Sequence, residues 1–151
     1  MTATARAFGK LALAAAAGLA LVQCVSPPSV KPSTAEIRRL LPGTWMQTLE
    51  EHHRTQVMRK TYFADGTAKG WIHTTLNRGR VTVHLERTNF TSRWRIEGDQ
   101  IVIFDIESTD THLAQPGEVL HDRVLAIDKE HVDFIDLSHG GHFALRRMEP
   151  F

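Results

Sequence analysis

The sequence contains one cysteine, Cys24, in 151 residues, so no intramolecular disulfide can form. Whatever folds must be held by its core. It also lacks the run of roughly 20 apolar residues that a membrane-crossing helix needs; its longest apolar run covers residues 11–22. Charge of one sign is missing too, with 18 Lys and Arg against 17 Asp and Glu. A near-neutral chain has no long-range field to gather nucleic acid. No Gly-rich phosphate loop precedes a helix. Ser92, Ser108 and Ser138 have no nucleophile-elbow context. Asp133 and Asp136 lie close together, but paired carboxylates on one strand are ordinary solvated residues. These gaps argue against an enzyme and against a nucleic-acid partner.

What is present begins with an address. Arg6 and Lys10 precede the 12-residue apolar run, which has the length of a secretory h-region rather than of a membrane span. The run ends at Leu21-Val22-Gln23-Cys24. This segment resembles the lipobox of bacterial lipoproteins. The resemblance implies a signal peptide over residues 1–23, cleavage before Cys24, and a diacylglycerol on its sulfur. Val25 rather than Asp follows the cysteine, which by the same resemblance favours the outer membrane, facing the periplasm. The covalent lipid on Cys24 is then the only attached group, and no further cofactor is expected. Loss of Arg6 and Lys10 leaves 16 basic against 17 acidic residues.

Residues 24–33 form a tether, with three prolines between 25 and 33 that favour an extended chain. The domain then covers 34–151. Ser33-Thr34-Ala35-Glu36 fits a capping box, and Ile37, Leu40 and Leu41 share one face of a short helix that Pro42-Gly43 stops. Everything after Gly43 reads as strand and turn. Val81, Val83 and Leu85 alternate with Thr82, His84 and Glu86. Trp94 and Ile96 alternate with Arg93 and Arg95, and residues 56–63, 68–76, 100–107, 118–127, 132–137 and 142–148 are strand-like. Turn signals separate them, among them Ala64-Asp65-Gly66, Asn77-Arg78-Gly79, Glu97-Gly98-Asp99 and His139-Gly140-Gly141. Eight or nine antiparallel strands with short connections hide their edges most simply by closing into an up-and-down barrel. The expected fold is therefore an all-β antiparallel barrel of about eight strands with a short N-terminal helix.

Leu41-Pro42-Gly43-Thr44-Trp45 places a Gly-x-Trp at the start of the first strand, just after that helix. Thr61-Tyr62-Phe63-Ala64-Asp65-Gly66-Thr67 and Trp94-Arg95-Ile96-Glu97-Gly98-Asp99-Gln100-Ile101-Val102 follow in order. The three segments together resemble the small bacterial lipocalin-like (calycin-type) domains, over residues 37–148. Gly43, Trp45, Asp65, Gly66, Trp94 and Gly98 carry that signature. The resemblance implies a barrel in which Trp45 closes one end and the helix caps it. It also implies a small apolar or amphiphilic ligand at the mouth.

Inward side chains such as Tyr62, Trp71, Phe90 and Phe104 are the candidate ligand contacts. Trp45 and Trp94 read as core, whereas Trp71 is poised between packing and ligand contact. Nine histidines are present, but His52-His53 point to opposite faces of a strand, and His139 and His142 supply only two ligands. His73, His84 and His121 sit within strands, and no metal site is expected. Arg78, Arg80, Arg93, Arg95, Arg146 and Arg147 are interleaved with acids and read as a solvated face. Two functions remain. One is a membrane-anchored binding protein of the cell envelope. The other is a periplasmic interaction module (an assembly subunit, an inhibitor or an immunity-type factor) with a protein partner and no small ligand. The long connection at 108–117, with Asp110, Thr111, His112 and Gln115, is the surface such a module would use.

Overall fold

The computed structural model describes residues 31–110 and 113–149. Cys24, the expected signal segment and most of the expected tether lie outside the described residues, as do Thr111 and His112. The short helix is α1 (Thr34–Leu40), and Ser33 Oγ accepts from Glu36 N at 3.2 Å. Ile37 and Leu41 are buried completely, so the apolar face read from the sequence is the face that packs.

Nine strands follow. They are β1 (Gly43–Glu51), β2 (Arg54–Tyr62), β3 (Thr67–Arg78), β4 (Val81–His84), β5 (Thr88–Glu97), β6 (Gln100–Ser108), β7 (Leu120–Ile127), β8 (His131–Asp136) and β9 (His142–Arg147). All pairings are antiparallel. Eight strands run β2-β1-β9-β8-β7-β6-β5-β3, and β3 pairs back onto β2, which closes the barrel. The seam between first and last strands is short, Trp45 opposite Arg147 and Met46 opposite Arg146.

The ninth strand is the departure from a plain meander. β3 is 12 residues long; its first half pairs with β5 and its last four residues pair with β4. The hairpin β3–β4 therefore runs past the barrel rim, and Val81, Val83 and Leu85 on it are exposed. Two register shifts, at Thr91/Arg93 and Val124/Ala126, bend the wall as closure requires.

One end of the barrel is filled. Trp45, Tyr62, Trp94, Ile101, Val124, Val132 and Leu145 meet there under Ile37 and Leu41. Tyr62 and Trp94 pack edge to face, with centroids 5.7 Å apart. Trp45 Nε1 donates to Leu41 O at 2.7 Å. Trp94 Nε1 donates to Phe63 O and Thr67 O at 3.1 and 2.9 Å, which ties it to the β2–β3 turn. In that turn Asp65 Oδ1 accepts from Thr67 N and Oγ1, which holds the Asp65 carboxyl below its ordinary value.

Arg147 is not part of a solvated face. Its guanidinium lies 4.2 Å from the Trp45 ring centroid. It donates to Lys129 O at 2.6 Å, to Pro42 O at 2.9 Å and to Leu40 O. The last carbonyls of α1 and the segment that follows are thereby satisfied by the last strand. Gly43 makes room: its φ is +139°, and a Cβ there would collide with Arg147 Nη1. The other end of α1 is held by Thr34 Oγ1, which donates to Gly98 O at 2.7 Å, and Lys31 pairs with Asp99 at 3.1 Å.

Candidate functional site

Strand alternation stacks the barrel interior in layers. The closed-end layer includes Trp45, Tyr62, Trp94 and Val124. Two residues further along the same strands stand Gln47, Lys60, Ser92 and Asp122. Two residues beyond those come Leu49, Met58, Phe90 and Leu120. The middle layer is polar and buried, with Gln47 at 7%, Lys60 at 8%, Ser92 at 6% and Asp122 at 7% exposure. Above it opens a cavity of about 260 Å³, whose wall includes Met58, Ile72, Phe90, Ile106, Phe134 and Phe143. Its floor is the polar layer.

The floor is short of partners. Ser92 Oγ has none among the described residues. Lys60 Nζ sits 4.6 Å from the Tyr62 ring centroid and makes no ion pair within 4.0 Å among the described residues. Burial pushes the Lys60 ammonium down to about 8, against the attraction of Asp122. Burial likewise pushes the Asp122 carboxyl up to about 6; Lys60 opposes this and Asp136 adds to it. The Tyr62 phenol is raised, again by burial first. Each polar group therefore carries a desolvation cost that its neighbours do not fully offset.

The mouth is bounded by Leu49, Gln56, Asp136 and His139, with Leu113 and Ala114 from the long connection. His139 is clasped between two acids, Glu118 at 2.9 Å and Asp136 at 3.3 Å. This clasp ties the β8–β9 turn to the end of the long connection. Of the four candidate ligand contacts, the structure brings Tyr62 and Phe90 together on the cavity. Gly70 seats the Phe90 ring, since a Cβ there would lie 2.5 Å from Phe90 Cζ.

Trp71 and Phe104 do not line the cavity. Trp71 falls between Gly70 and the inward Ile72 and lies beneath Arg87, 4.3 Å from ring centroid to guanidinium. Phe104 follows the inward Ile103 and packs beside Arg95 at 4.9 Å. Both are aromatic faces covered by cations on the outer wall. His73 and His84 stack on each other at 5.7 Å. No group of three or more His, Cys, Asp or Glu among the described residues is set to hold a metal ion.

Lys60, Asp122, Gln47 and Ser92 as a buried belt are what sequence reasoning missed. A signal exists: each sits two residues from an apolar neighbour on either side, as in Met58-x-Lys60-x-Tyr62 and Leu120-x-Asp122-x-Val124. The alternation places all four inside. No protein-family model matches the chain, and no curated protein matches it.

Proposed function

We propose that the protein is an envelope-anchored, lipocalin-like binding protein for a small amphiphile, held polar end down in the barrel. The observation that carries this reading is the Ser92 hydroxyl, without a partner among the described residues, which shares with Lys60 and Asp122 the floor of an apolar cavity. Buried polar atoms without partners are uncommon in folded proteins, and a ligand head group would satisfy them. The apolar wall above would cover the ligand's chain. The lipobox-like segment at Cys24 supports attachment to the outer membrane, and the tether would hold the barrel at its periplasmic face.

Titration of the purified protein with decanol and with decane, read by native mass spectrometry, tests the head-down reading. The expected result is a one-to-one complex with decanol and little with decane. Ser92→Ala is expected to weaken decanol binding by roughly 3–10-fold, the worth of one hydrogen bond. Equal retention of decane, or no binding of either, would overturn it.

One observation favours an interaction module instead. The β3–β4 hairpin exposes Val81 at 60%, with Val83 and Leu85 also open, outside the barrel. A stoichiometric protein partner recovered from envelope extracts, with an empty barrel, would decide for that reading.

A further inference from the structure

Lys31, Lys69 and Lys129 lie at the surface of the described residues, and Lys60 alone among these lysines is buried. Lys60 lines the cavity, and its Nζ sits over the Tyr62 ring, which lines it too, with no counter-ion within 4.0 Å among the described residues. An ammonium in such a place loses hydration and gains little in return, so the balance shifts toward the neutral amine relative to an exposed lysine. A neutral, desolvated amine in an apolar chamber is a nucleophile toward carbonyl carbon.

We propose that Lys60 captures an amphiphilic aldehyde as a reversible imine, with the Asp122 carboxyl moving the protons. This rests on the reading that the cavity admits a single-chain amphiphile. Nζ adds to the carbonyl carbon, a C–N bond forms, and the carbonyl oxygen becomes a hydroxyl as one proton passes from nitrogen to oxygen. Asp122 then protonates that hydroxyl, the C–O bond breaks, and water leaves as the nitrogen lone pair closes the C=N bond. The remaining N–H proton returns to Asp122. Nothing is oxidised or reduced, and addition of water reverses the sequence. Ser92, whose Oγ has no partner among the described residues, lines the same cavity and would offer a hydrogen bond to the carbinolamine oxygen. The apolar wall would cover the chain and slow hydrolysis by excluding water.

The charge balance of the chamber suits this chemistry. Its other titratable groups are Tyr62 on the same strand, Asp122 on β7, Asp136 at the end of β8 and His139 beyond it. With Lys60 lowered to about 8, its neutral fraction at pH 7 is roughly 300-fold that of an ordinary lysine. With Asp122 raised to about 6, the carboxyl exchanges protons near neutrality.

The test uses the full chain with decanal at pH 7, followed by intact mass, borohydride reduction and peptide mapping. The expected product carries the mass of the aldehyde less one water, and two hydrogens more after reduction. It maps to Lys60 and forms at least ~10-fold faster there than at Lys69 or Lys129, as the larger neutral fraction requires. Lys60→Arg is expected to abolish the adduct. Mapping on the unaltered protein decides the matter even if that variant folds poorly. Adducts spread evenly over the surface lysines would overturn the proposal. Decanol binding without an adduct at Lys60 would overturn the imine alone, whereas retention of neither compound would overturn the binding reading as well.

Discussion

At the closed end of the barrel, Trp45, Trp94 and Arg147 all have their donors taken up by backbone carbonyls of α1, the β2–β3 turn and the chain around them. In the next layer of the barrel Ser92 and Lys60 are buried as Trp45 and Trp94 are, yet among the described residues Ser92 Oγ has no partner and Lys60 has no ion pair. For the two tryptophans and the floor residues the burial is alike and the satisfaction is not. Polar groups that are buried and paired serve the fold, while those buried and left open cost stability. The contrast is what sets the proposed binding end apart from the end that holds the fold.

The largest effect should come from breaking the structural end. Trp45→Ala removes a fully buried indole, its hydrogen bond to Leu41 and the surface on which Arg147 stacks. A loss of about 3–5 kcal/mol is expected, the usual range for a buried tryptophan. Urea unfolding followed by circular dichroism measures it. A loss below about 1 kcal/mol, the scale of an ordinary single substitution, would mean that the closed end is not the keystone described.

The middle layer should respond with the opposite sign. Lys60→Met replaces a buried, unpaired ammonium by an apolar chain of similar length, and a gain of about 1–3 kcal/mol at pH 7 is expected. The pH dependence follows from the lowered value of Lys60. A basic group depressed by folding contributes its full stability above its unfolded value near 10.5, and that contribution is lost as pH falls through about 8. The wild-type protein therefore carries the whole penalty at pH 7, and the advantage of Lys60→Met fades as pH rises from 8 toward 10.5. Unfolding curves at pH 7 and pH 10 check both sign and trend. A variant less stable than wild type at pH 7 would show that Asp122 compensates Lys60 in full.

The closed end was legible in the sequence and the middle layer was not, for a physical reason. Turn residues, the helix cap and the period of two depend on local chemistry, so the strands, the closure and the positions of Trp45 and Trp94 follow from neighbours in the chain. Trp71 and Phe104 misled because an aromatic side chain suggests a pocket wherever it stands. In Ile101-Val102-Ile103-Phe104 every position is apolar, and alternation then carries no information about face. Arg147 was hidden for a different reason. Its partners, Leu40 and Pro42, are more than 100 positions away, and only the closing of β9 onto β1 brings them together. The belt of Gln47, Lys60, Ser92 and Asp122 is spread over four strands, so its unity belongs to the barrel and to no stretch of sequence.

The smallest effect belongs to the hairpin beyond the rim. Val81 and Val83 are exposed on β4, a four-residue strand paired only with the end of β3. They contribute almost nothing to the barrel interior, so Val81→Thr with Val83→Thr should change stability by no more than about 0.5 kcal/mol. Threonine keeps the β-branched shape that suits a strand, so the hairpin itself should persist. Decanol affinity should also be unchanged, because neither residue lines the cavity. This pair of measurements sharpens the comparison of the two ends by supplying a third region that serves neither. A marked loss of decanol binding with stability intact would instead make the hairpin part of the mouth, and the functional end of the molecule would then extend beyond the barrel wall.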